Sequence, residues 1–215
     1  MPANPEDPFE PPPPQRLPRC PVAEMSRYWD ELRITEVSPI SPPPRNEPHV
    51  LDLCPLAWAP KYLVTGGQTG VDRAVLDWSL EHGISHRGWC PRGRMAEDGP
   101  LPLEYRLRET ATAEYAERTR LNMRDSDATL ILNEGPLEEG TRLTFEVAQT
   151  LQRPVLLVQL DNPASDAPQT ILDWLRQGHF ASVNVAGPRE SGRPGIYQRV
   201  YQLLEACAVL ALANR

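Results

Sequence analysis

The chain has 215 residues and a formal net charge of −7, from 22 Lys+Arg against 29 Asp+Glu. That length suits one ordinary domain with an extension, or two small ones. The acidic balance disfavours non-specific attraction to nucleic acid or to an acidic membrane; no run of about 18 apolar residues offers a membrane span, and the acidic start "MPANPEDPFE" lacks the apolar stretch of a secretory signal.

Proline divides the chain. Sixteen of the 25 prolines lie within residues 1–60. Runs such as "PFEPPPPQRLP" and "ISPPPRNEP" oppose helix and central strand, because proline lacks an N–H donor and fixes its own φ. Residues 1–58 therefore read as a proline-rich, largely irregular extension. One short helix is expected within it, over 23–37, with Trp29, Leu32 and Ile34 as docking residues. The proline runs also suit capture by a protein partner.

From residue 59 the pattern alternates. "KYLVT" is a short strand that breaks at Gly66, and "VDRAVLDWSLEH" carries Val71, Ala74, Val75 and Trp78 at helical spacing. "GISHRGW" is a weaker strand. "ETATAEYAERTRLNMRDS" is a polar helix with an expected inner face of Ala113, Ala116 and Leu121. "ATLIL" (128–132) is a buried strand, "TRLTFEVAQTL" a helix, "PVLLVQL" a strand, "APQTILDWLRQG" a helix, "SVNVAG" a strand and "PGIYQRVYQLLEACAVLAL" a closing helix. Strand and helix in alternation imply an α/β sandwich with a mostly parallel sheet covered on both faces. In such sheets ligands bind beyond the C-terminal strand ends. Four polar, glycine-rich loops are expected on that edge: 66–73, 88–100, 133–141 and 186–195.

In the first, Gly66, Gly67 and Gly70 permit close backbone approach and a tight turn into a helix, whose N-terminus carries free N–H groups and partial positive charge. Thr69 adds a hydroxyl, whereas Asp72 would repel an anion. The spacing is neither GxGxxG nor a P-loop. In the third, Gly135, Gly140 and Thr141 bridge strand and helix, with Thr144 one turn on. Two such turns on one edge can share a phosphate. In the second loop Arg92 and Arg94 are candidates for phosphate, Trp89 for stacking on a ring, and Cys90 for a nucleophile without an identifiable histidine partner. The fourth contributes Arg189, Glu190, Ser191 and Arg193.

The four cysteines, Cys20, Cys54, Cys90 and Cys207, form no CxxC pair and no cluster with zinc spacing. They read as reduced thiols of a cytoplasmic protein. His82 and His86 are separated by Gly83, which opposes a helical metal pair, so no direct protein–metal site is expected. "RDSD" (124–127) precedes a strand at the far end from the loops and reads as turn and cap chemistry.

Five blocks in order, "GGQTGVDRA", "GWCPRGRMAEDGPLP", "RDSDATLIL", "GPLEEGTRLT" and "NVAGPRES…PGIY", resemble the family of putative molybdenum carrier proteins over residues 61–204. The resemblance implies a Rossmann-like domain, a homo-oligomer (dimer or tetramer) and a phosphorylated small-molecule ligand. The family name implies molybdenum cofactor, a phosphorylated pterin; a nucleotide is the other candidate. The ligand- and phosphate-binding set expected from the four loops is Gly66, Gly67, Gln68, Thr69, Gly70, Asp72, Arg73, Arg92, Gly135, Gly140, Thr141, Thr144, Arg189, Glu190 and Ser191.

The family is similar to the Lonely Guy-type phosphoribohydrolases, whose PGGxGTxxE motif ends in a catalytic glutamate. Here the GT is Gly140-Thr141 and the glutamate position is Thr144, while Glu146 stands roughly 200° around the helix from it. The phosphate-gripping half of the motif is retained and the hydrolytic carboxylate is not. A binding or carrier protein is the expectation. A nucleotide-processing hydrolase using Asp72, Glu97 or Asp98, and a nucleotide-sensing module with a protein partner, are the alternatives.

Overall fold

The computed structural model describes residues 59–137, 139–162 and 166–213. The proline-rich stretch through residue 58, the helix expected at 23–37, and Cys20 and Cys54 lie outside them. In chain order the elements are β1 (Tyr62–Val64), α1 (Val71–Glu81), β2 (His86–Cys90), β3 (Met95–Ala96), β4 (Gly99–Pro100), β5 (Leu107–Glu109), α2 (Tyr115–Arg124), β6 (Ala128–Asn133), α3 (Glu139–Thr150), β7 (Val155–Gln159), α4 (Ala167–Gly178), β8 (Ser182–Ala186) and α5 (Ile196–Ala213). The alternation of strand and helix has the order expected. The short strands β3, β4 and β5 were not foreseen.

Six strands form one sheet in the order β5-β2-β1-β8-β6-β7. Every pairing in it is parallel, with Leu63 opposite His86 and Val183, and Leu130 opposite Val185 and Leu156. Helices on both faces exclude water from such a sheet, so its central strands run apolar. All six residues of β6 are buried.

One face holds the larger core. Val71, Val75 and Trp78 of α1, Ile171 and Leu172 of α4, and Val200 and Leu204 of α5 pack there on Leu63, Leu130, Leu132, Val183 and Val185. The other face carries α2 and α3, joined through Met123, Val147 and Ala148. The result is a three-layer, Rossmann-like α/β sandwich. The alternation in "SVNVA" turns Val183 and Val185 to the first face and leaves Asn184 for the second.

The strand order locates a crevice. After β8 the chain passes to α5 on the first face; after β6 it passes to α3 on the second. β8 and β6 are neighbours, so their outgoing loops diverge. Such a switch point is where open parallel sheets admit ligands.

The ends opposite the crevice are tied by polar turns. Asp127 Oδ2 accepts from Ser182 N at 2.8 Å and from Ser182 Oγ at 3.0 Å. Asp125 accepts the Trp89 indole N–H at 2.8 Å. The "RDSD" segment thus fastens β6 to β8 and α2 to β2.

Candidate ligand site at the sheet switch point

A cavity of about 430 Å³ opens at the crevice, on the α2/α3 face. Asn184, Ala186 and Gly187 at the end of β8 line it, with Gln68 and Asp72 from the β1–α1 turn. Tyr115, Arg118, Thr119 and Asn122 of α2 and Gly140, Thr141 and Thr144 of α3 face them, and Pro188 and Arg189 complete the wall. Its volume lies within the range typical of small-molecule sites, roughly 300–1,000 Å³.

In the β1–α1 turn, the glycines face protein. A Cβ on Gly66 would stand 1.3 Å from Arg118 Nη1. The arginine of α2 lies against that glycine and reaches Asp72, with Nη1 to Oδ2 at 2.7 Å. Asp72 Oδ2 also accepts the Gln68 N–H at 3.1 Å. Gly70 has φ +73, and a Cβ there would meet Pro188 O at 2.5 Å. The Asp72 and Arg118 side chains are 5% and 15% exposed. Asp72 is therefore a buried helix-start carboxylate that holds a partly buried cation at the cavity. Arg118 Nε is buried without a hydrogen-bond partner among the described residues.

A polar strap crosses the turns. Gln68 Oε1 accepts from the N–H groups of Thr69 at 3.0 Å and Glu97 at 2.9 Å. The Glu97 carboxylate accepts from the Thr69 hydroxyl, from Ser191 N at 3.1 Å and from Ser191 Oγ at 2.5 Å. Arg189 Nε lies 3.7 Å from it. Partial burial pushes the Glu97 carboxyl up, but these hydrogen bonds outweigh it and hold it below the usual carboxylate range. Arg73 makes a bidentate pair with Asp98 at 2.9 and 3.1 Å. Glu190 accepts the N–H groups of Gly195 and Tyr197 and so caps α5. Of the residues predicted in loop 186–195, only Arg189 also lines the cavity.

The β6–α3 turn differs. A Cβ on Gly140 would meet nothing within 4 Å. Thr141 and Thr144 are buried beside it, and the Thr144 hydroxyl donates to Gly140 O at 3.0 Å. Thr144 thus lines the cavity. Gly135 stands outside the lining; its N–H donates to Asp161 and its carbonyl accepts from Asn133.

The loop after β2 is largely spent on structure. The Arg94 guanidinium donates to the carbonyls of Leu101, Pro102, Tyr105 and Leu107. Trp89 is buried, so its ring is not presented for stacking. Cys90 is fully buried, and burial pushes its thiol up, away from nucleophilic character. Arg92 is exposed and outside the cavity lining. Among the described residues no group of three or more His, Cys, Asp or Glu is placed to hold a metal, and no helix is long and apolar enough to cross a membrane.

Arg118, Tyr115, Thr119 and Asn184 escaped sequence reasoning. The inward residues of α2 are Glu117, Asn122 and Met123, not the expected Ala113, Ala116 and Leu121; Ala113 precedes the helix. A packed helix whose inner side is polar was the available signal for Arg118.

Residues 63–208 match the family described as circularly permutated YpsA SLOG. The strand order explains the description: if β8 and α5 preceded β1, the sheet would run outward from a first strand in each direction. No curated protein matches the chain. A crystal structure named Putative molybdenum carrier protein, from Syntrophus aciditrophicus SB, is 42% identical, with a TM-score of 0.67 over 69% of this chain and 95% of that one. The family resemblance of the five sequence blocks and the Rossmann-like fold are shown together by these matches, and the chain belongs to the circularly permutated YpsA SLOG family.

Proposed function

We propose that this protein binds and carries a phosphorylated heterocycle, molybdenum cofactor or a nucleotide, with its phosphate between the N-terminus of α3 and Arg118. One observation carries the reading: one cavity at the switch point is lined both by the Arg118 cation and by a helix start whose Gly140 has open space beside it. Free N–H groups and the helix dipole favour an anion there. Arg189 adds a second, more exposed cation. Asn184, Thr119 and Gln68 line the remainder and suit the polar edge of a heterocycle. These residues fit the phosphate of molybdenum cofactor; when bound, the cofactor would supply its own redox chemistry. The name of the 42% identical structure supports the same ligand class.

Binding is favoured over hydrolysis by the occupation of the carboxylates. Asp72 holds Arg118, Glu97 holds Thr69 and Ser191, and Asp98 holds Arg73. Thr144 supplies no carboxylate, and Glu146 is exposed beside Arg142. Calorimetry of the full chain with molybdenum cofactor and a nucleotide panel tests the reading. Saturable binding, weakened in R118Q, is expected; absence of binding to every member overturns it. Release of free base from nucleoside monophosphates would establish the hydrolase instead.

A further inference from the structure

We infer that Gly66 and Asp72 are positioning residues for Arg118, so that the glycine turn after β1 serves as a seat for an arginine and not as a phosphate cradle. The inference rests on the ligand reading above and adds how the cation is set.

Gly66 is required for space. Its missing Cβ leaves the position taken by the Arg118 guanidinium, 1.3 Å from Nη1 and 2.2 Å from Cζ. Any side chain at 66 would displace that group, which is the far end of a flexible chain, so the backbone would keep its course. Asp72 fixes the other side. It takes Nη1 at 2.7 Å, and the Gln68 N–H at 3.1 Å holds the same carboxylate oxygen in place.

Glycine, aspartate and the turn N–H thus set one orientation of a planar group from a different element. An arginine held this way loses little freedom on meeting an oxyanion. Its Nε has no acceptor among the described residues, and the residue itself lines the cavity in which an oxyanion would be met. Gly70 and Gly67 do not offer an alternative cradle. Their Cβ positions meet the Pro188 carbonyl at 2.5 Å and the Leu101 and Leu107 side chains at 2.7 Å.

A double-mutant cycle on the full chain separates positioning from general damage. Affinity for inorganic phosphate is measured by calorimetry at constant ionic strength for wild type, G66A, R118Q and G66A/R118Q. G66A is expected to weaken phosphate binding roughly tenfold or more, the size of one charge-assisted hydrogen bond. In the R118Q background it should cost less than about twofold, since it then has nothing to displace. D72N against D72N/R118Q repeats the cycle, and this double variant leaves no unpaired buried charge if G66A fails to fold. Equal cost of G66A in both backgrounds overturns the inference. So does unaltered phosphate binding in R118Q, or none in wild type. Failure of the ligand reading shows separately, as wild type that binds neither molybdenum cofactor nor any nucleotide.

Discussion

The turns after β1 and β6 look alike in sequence, each a strand running through glycines into a helix, yet they face different neighbours. At the first, the space beside Gly66 holds Arg118, that beside Gly67 holds Leu101 and Leu107, and that beside Gly70 holds the 188–190 backbone. At the second, the space beside Gly140 is empty. Glycine in the first turn admits protein; Gly140 in the second leaves open space. A glycine-rich turn in sequence therefore announces close approach, and only the surrounding elements decide what approaches.

Substitution breaks the likeness most sharply at Gly70. With φ +73, ψ −124 and a backbone carbonyl 2.5 Å from the added carbon, G70A should lose about 3 kcal/mol or more of unfolding free energy in a denaturant titration. D72N comes next. It strands the partly buried Arg118 and should cost about 2–3 kcal/mol, most of it recovered in D72N/R118Q. If D72N is as stable as wild type, the pair does not organise the turn.

E97Q probes the strap between the turns, with an expected loss of about 1 kcal/mol at neutral pH. The folded Glu97 titrates below its ordinary value, so its contribution is complete above the usual glutamate range, about pH 4.3, and fades as pH falls through the lower, folded value. The gap between wild type and E97Q should close in acid; a gap that widens there contradicts the assignment. The smallest effect has the opposite sign. G140A, helical and unobstructed, should raise stability by about 0.5–1 kcal/mol while weakening ligand binding, because it adds a methyl group to a residue that lines the cavity.

Much of the fold was legible. The helices over 71–81 and 167–178 and the strand from 128 follow from apolar spacing and appear in place. β5 was missed because three residues carry too little pattern, and β3 and β4 because two residues carry none. Strand order leaves no local trace, so the central position of β8 was hidden. The turn residues of the site were visible through glycine and threonine. Arg118 was not, because its importance arises from Gly66 and Asp72, which lie 52 and 46 positions away in the chain. Arg94 and Trp89 attracted notice for their chemical character and proved to be structural, the first by meeting four carbonyls and the second by burial.

The place of β8 also bears on how the chain assembles. β1 and β6 lie on either side of it and have no pairing with each other. On a ribosome, the two halves of the sheet emerge well before the strand that joins them. Until residues 182–186 arrive, each half presents an edge of unpaired backbone N–H and C=O groups flanked by apolar side chains, a form prone to mispairing with other chains. The crevice itself comes into being only at that last step, so nascent chains lacking β8 have no complete ligand site to be stabilised by binding.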